Sequence, residues 1–183
     1  MAKLGVVDWL MVASGLTSLA MFGNWLLGRG MSQSNSPCTD DALRAKVIAA
    51  AKTQVGKADL PAYIADAAPQ YAGEHPEWCG IFALWALHQA GLAKGVQWKT
   101  ALGFVEPQRL AHTTSPKPGD VAYFAAPWQH HALVESVRSD EVDLINGNGA
   151  GGKVSLSTSP LSKATTYYSI QKFVDAAIAG GCA

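Results

Sequence analysis

The sequence predicts an α+β domain in which helices come first and an antiparallel sheet follows. Three observations carry this. Apolar residues recur at helical spacing up to about residue 90. Beyond the turn Pro116-Lys117-Pro118-Gly119-Asp120 the pattern changes to short β-rich runs separated by Gly, Asn and Pro. A run of helices followed by a run of strands is the α+β order rather than the βαβ alternation of a parallel sheet.

Ahead of that domain lies a segment of different character. Residues 5–27 read GVVDWLMVASGLTSLAMFGNWLL, uncharged from Trp9 to Leu27 and with tryptophans near both ends. Its length and belt-like aromatics suit a membrane anchor. Asn24 and the glycines leave open a helix packed into a virion or secretion-machinery partner, and a signal peptide is the third reading. Gly28 to Pro37 is small, polar and aperiodic, a linker. The expected organisation is thus an apolar N-terminal helix over residues 1–28, a linker over 29–37 and a globular domain over 38–183.

Within the domain, Thr39 followed by Asp40 and Asp41 starts a helix: a hydroxyl cap, then acids against the positive end of the helix dipole. Leu43, Val47, Ile48 and Ala51 continue it and Gly56 closes it. Residues 57–77 contain Pro61, Pro69 and Pro76 and read as a long connection with a short helix around Tyr63 to Ala68. A helix from Cys79 to about Ala90 carries Phe82, Trp85 and Leu87 and ends at Gly91; another short one is expected over Ala101 to Leu110. Strands follow at Val121 to Phe124, His130 to Val137, Val142 to Ile145 and Val154 to Leu156. Thr165 to Val174 is a further strand or a strand-to-helix junction.

The 183 residues carry 14 Lys+Arg against 14 Asp+Glu, so there is no basic stripe and no electrostatic footprint for nucleic acid. Three cysteines are an odd number. Cys38 and Cys182 bracket the domain, and chain termini often lie close together. A Cys38–Cys182 bridge in an oxidising compartment would leave Cys79 free; three reduced thiols are the other reading.

Cys79 is the candidate nucleophile, because a thiol in the first turn of a helix feels the partial positive charge of the N-terminus, which favours its thiolate. On its own a buried cysteine is more often a small hydrophobe. A cysteine nucleophile also needs a base and a group to orient that base. His130 and His131 lie on one strand and alternate to opposite faces. The His130 face also bears Ala132 and Val134, suited to packing on the nucleophile's helix, whereas that of His131 bears Leu133 and Glu135, so His130 is the favoured base. Asn146 or Asn148 would hold the ring, with Asn148 and His131 as auxiliaries. Trp78, Trp128 and Tyr71 are candidate walls of a substrate groove. His88 and His112 have no companions, and no metal-ligand spacing is present, so neither metal nor cofactor is expected.

Together these motifs resemble those of the CHAP and NlpC-type cysteine peptidases. Trp78-Cys79-Gly80-Ile81-Phe82 is similar to their nucleophile helix, and Pro118-Gly119-Asp120-Val121 to their Pro-Gly-Asp strand entry. His130-His131-Ala132-Leu133-Val134 is similar to their base strand, again selecting His130, and Asn146-Gly147-Asn148 to the segment of the third polar residue. Asn146 stands where CHAP domains often have glutamate, and Gln129 where a small residue is usual. The resemblance implies a papain-like fold and cysteine-dependent hydrolysis of amide bonds in bacterial peptidoglycan, with Cys79, His130 and Asn146 as the catalytic set. It also implies peptide stems as substrate, and a cell-envelope, periplasmic or phage-virion location. Competing expectations are a catalytically inactive binding or structural module and a thiol acyltransferase on the same scaffold.

Overall fold

The computed structural model describes residues 38–99 and 110–182. They belong to one compact unit, Ser36–Ala183. The expected apolar helix of residues 1–28, its linker and most of the expected helix at 101–110 lie outside the described residues. Among the described residues no helix is long and apolar enough to cross a membrane.

Among the described residues the architecture is α+β: four α-helices and a six-stranded antiparallel sheet. Helix α1 spans Asp40–Lys52, where the Thr39 hydroxyl accepts the Ala42 N–H at 3.3 Å and Asp40 and Asp41 occupy the first turn. Its buried stripe is Leu43, Arg44, Val47 and Ala51. Helix α2 is Leu60–Ala67, starting three residues earlier than the sequence suggests because Pro61 falls in the first turn, where its missing N–H costs nothing. Helix α3 is Cys79–Gln89, buried along almost its whole circumference. It closes as expected at Gly91, whose φ of 78° lets the Leu92 N–H return to the Leu87 carbonyl at 2.9 Å.

The strands are β1 (His112–Thr113), β2 (Val121–Phe124), β3 (His130–Arg138), β4 (Glu141–Asn146), β5 (Ser155–Pro160) and β6 (Thr166–Tyr168). They run in the spatial order β1-β6-β2-β3-β4-β5. The stretch from Thr165 is a junction: β6 ends at Tyr168 and helix α4 (Gln171–Ala179) follows. The two-residue β1 is too short to leave a periodic signal.

All four helices pack on one face of the sheet, burying Ile81, Phe82, Leu84 and Leu87 of α3 against Val121, Leu133 and Ile145. The opposite face has its own smaller apolar cluster, in which Ala122, Phe124, Ala132, Val134, Val142, Leu144 and Tyr167 are buried. Both faces are therefore apolar, a point on which the placement of the histidines turns.

Two ties hold the layers in register. Asp120 of the Pro-Gly-Asp turn is buried, and its carboxylate accepts the Lys117 and Ile170 N–H groups and the Arg44 guanidinium at 2.9 to 3.0 Å. Arg44 also donates to Asp40, the Pro118 carbonyl and Gln171, joining α1, the turn before β2 and the start of α4. The chain ends of the domain are joined by a Cys38–Cys182 disulfide with its Cα atoms 5.8 Å apart, leaving Cys79 as the free thiol.

Candidate active site

Cys79 is the first residue of α3 and only 6% exposed. The helix begins there because Pro76 precedes it and an unbroken apolar run follows. Burial pushes the Cys79 thiol up; the backbone N–H groups of His131, Gly80 and Cys79 itself pull it down, and the nearby Glu77 carboxylate pushes it up again. The net direction is upward, against the expectation of a helix-stabilised thiolate. Desolvation at the floor of the helix–sheet interface outweighs these backbone donors.

The histidine that meets this sulfur is His131. Its Nδ1 lies 4.0 Å from Cys79 Sγ, and the side chain is 1% exposed. The ring lies between two aromatics: Trp98, edge-on at 5.3 Å, and Tyr123, its cross-strand neighbour on β2, at 4.9 Å. Burial, with a further contribution from His130, lowers the His131 pKa to about 4. At neutral pH the resting pair is thus a thiol beside a neutral imidazole.

His130, the favoured base, points to the opposite face, which reverses the expectation. Its Nε2 bonds Asn146 Oδ1 at 3.0 Å. Asn146 is itself buried, and its amide donates to the Ser155 carbonyl and the Ser157 hydroxyl. The reason is physical: Ala132 and Val134 pack in the second apolar cluster and not on α3. Glu135, taken as the mark of a more mixed face, instead reaches Lys52 of α1 in an ion pair beside the helix layer. With two apolar faces, the polarity of strand neighbours cannot tell which one carries the helices.

Asn146 is therefore not placed to orient the ring beside Cys79. Continuing the β3–β4 register from Ala132↔Asn146 sets Gly147 opposite His131. A side chain there has no room, since a Cβ on Gly147 would fall 2.5 Å from the Phe82 Cβ. Asn148 turns instead to the loop before the cysteine and donates to Glu77 Oε2 at 2.5 Å.

Around the sulfur is a cavity of about 180 Å³ lined by Tyr71, Pro76, Glu77, Cys79, Trp98, Gln129 and His131. Tyr71, one of the candidate groove walls, lines this cavity. Trp78 does not line it: Trp78 is 6% exposed and packs on Tyr63 and Phe82 in the core. Trp128 is 66% exposed and lines a different cavity, on the His130 side. Trp98, Glu77 and Gln129 were not singled out from the sequence. Trp98 carried one usable signal, a large aromatic in the polar stretch after α3. Gly80 makes its position possible, because a Cβ there would lie 2.1 Å from the indole. Among the described residues no group of three His, Cys, Asp or Glu side chains converges as metal ligands would. His88 and His112, read as lone, bond Asp66 and Thr166 respectively.

A thiol, an adjacent imidazole and an open cleft beside a helix N-terminus can support acyl transfer. Residues 70–148 match the family model described as CHAP domain, a stretch that includes Cys79, His130, His131, Asn146 and Asn148. No curated protein and no solved structure matches the chain.

Proposed function

We propose that the chain is a cysteine-dependent peptidoglycan hydrolase, an amidase or endopeptidase on a papain-like scaffold, with Cys79 as nucleophile and His131 as its base. CHAP domains are typically cysteine- and histidine-dependent amidases or peptidases acting on the cell wall. The observation that carries the residue assignment is the 4.0 Å approach of His131 Nδ1 to Cys79 Sγ at the floor of the cleft.

In the mechanism, the thiol proton passes to His131 Nδ1 as sulfur attacks the amide carbonyl. Both groups start neutral, so charge is created only when substrate covers the site. The first N–H groups of α3 have no acceptor within the helix, and that of Cys79 would stabilise the oxyanion. The protonated His131 then gives its proton to the leaving amine. A water, deprotonated by His131, releases the acyl group from sulfur. Trp98 and Tyr123 hold the imidazole plane throughout.

The peptide stem would enter along Tyr71, Glu77 and Gln129, the open wall of the cleft. Residues 1–28 would present domain 38–183 at the envelope, either as a membrane anchor or embedded in a virion or secretion-machinery partner, with 29–37 as the tether.

The test is digestion of purified peptidoglycan by the full chain, with mass spectrometry of the soluble products. New amine termini and shortened stems are expected from the wild type, and none from Cys79→Ser. Undiminished release by Cys79→Ser would sink the mechanism.

A further inference from the structure

The sheet face turned away from Cys79 carries a second cavity, of about 230 Å³, that the thiol chemistry does not use. Its wall is Trp128, the most exposed large hydrophobic side chain among the described residues, at 66%. An indole left this open gives up burial that a core position would provide, and a platform for a flat apolar ligand surface is the use that fits its place. Lys163 stands over the ring, its Nζ 5.8 Å from the centroid, and also lines the cavity.

The floor is a built polar site. Asn146 is 8% exposed, and its side-chain groups are committed to His130, Ser155 and Ser157. Its Oδ1 can only accept from the ring, so His130 carries its proton on Nε2 and keeps Nδ1 as an acceptor. The Ser157 oxygen accepts from Asn146, which directs its own O–H elsewhere. Phe124 and Leu144 close the base with apolar surface. Burial also lowers the His130 pKa, keeping this acceptor neutral near pH 7.

We propose that this cavity binds a saccharide, specifically an N-acetylated hexose of a glycan chain. The axial C–H face of the sugar would lie on Trp128. Hydroxyl groups would meet His130 Nδ1, Ser157 and Lys163, and the acetamido methyl would fill the Phe124–Leu144 corner. A flat apolar face, several hydroxyls and one methyl-bearing amide are the combination this mixture of surfaces complements. The site lies across the sheet from the cleft, so a glycan strand held there would keep the domain on its polymer while peptide stems reach Cys79. The proposal goes beyond the hydrolase reading and does not require it.

The experiment is titration of the full chain with chitotetraose, followed by calorimetry and by the tryptophan indole N–H signals in NMR. Saturable binding is expected, weakened at least tenfold in Trp128→Ala, whose thermal midpoint should stay near that of the wild type because the side chain is exposed. Cellotetraose, which lacks the acetamido group, should bind at least fivefold more weakly. Absence of saturable chitotetraose binding, or equal affinity in Trp128→Ala, overturns the site; equal affinity for cellotetraose overturns the N-acetyl assignment. Chitotetraose contains no peptide stem, so failure here leaves the Cys79 reading untouched, and failure of hydrolysis leaves this test intact.

Discussion

Replacing His131 by glutamine, and separately His130 by alanine, tests the base assignment most directly. In His131→Gln the imidazole that meets Cys79 Sγ at 4.0 Å is removed while most of the side-chain volume between Trp98 and Tyr123 is kept. A general base positioned on its nucleophile typically contributes about 10²–10⁴-fold, or about 3–5 kcal/mol of barrier. His130 lies on the other side of the sheet, and its loss removes one hydrogen bond to Asn146. That deletion should cost about 1–2 kcal/mol of stability, since a buried acceptor loses its partner, and less than about tenfold in turnover. The assay is the initial rate of amine release from peptidoglycan, with alkylation of Cys79 by iodoacetamide followed across pH in the same variants. His131→Gln should lose at least about a hundredfold in turnover and shift the alkylation profile. If His131→Gln stays within tenfold of wild type while His130→Ala collapses, the geometry described here is not the working one.

Three other outcomes follow from the same structure. The His131 pKa falls from an ordinary 6.5 to about 4 on folding, so the unfolded chain takes up a proton that the native one refuses. Stability is full above pH 6.5 and drains as pH falls toward 4, by about 3 kcal/mol at ~1.4 kcal/mol per pH unit. Urea unfolding across that window should show the loss, and His131→Gln should flatten it. Arg44→Met leaves the buried Asp120 carboxylate without its cation, which should cost about 3–5 kcal/mol; a change below about 1 kcal/mol in urea melts would remove the central role given to this pair. Gly80→Ala places a methyl 2.1 Å from the Trp98 indole, so one of the two must shift. An overpacking cost of about 1–3 kcal/mol is expected, together with a changed near-ultraviolet circular dichroism signal and reduced turnover; an unchanged melt and spectrum would refute the close packing.

Most of the architecture follows from local chemistry that the chain states openly. The Thr39-Asp40-Asp41 start, the Gly91 stop, the turn before Val121 and the β-rich runs after it mark element boundaries, because caps, φ > 0 positions and period-two patterns are properties of neighbouring residues. The order of Cys79, the two histidines and the asparagine turn was legible for the same reason. The tendency of domain ends to meet made a Cys38–Cys182 bridge one of two readings, and the folded termini chose it over three reduced thiols. The local patterns were silent wherever the answer depended on what lay across a gap. Alternation along β3 put His130 and His131 on opposite faces, but only the packed sheet, apolar on both sides, decided that α3 covers the face of His131. The same choice sent Asn146 and Trp128 to the far side, buried Trp78 against Tyr63 and Phe82, and left Gly147 opposite the imidazole. Cys79 sits at a helix start as its neighbours dictate. Its raised pKa comes from the layers closed over it, because desolvation is set by the whole fold and the helix dipole by one turn.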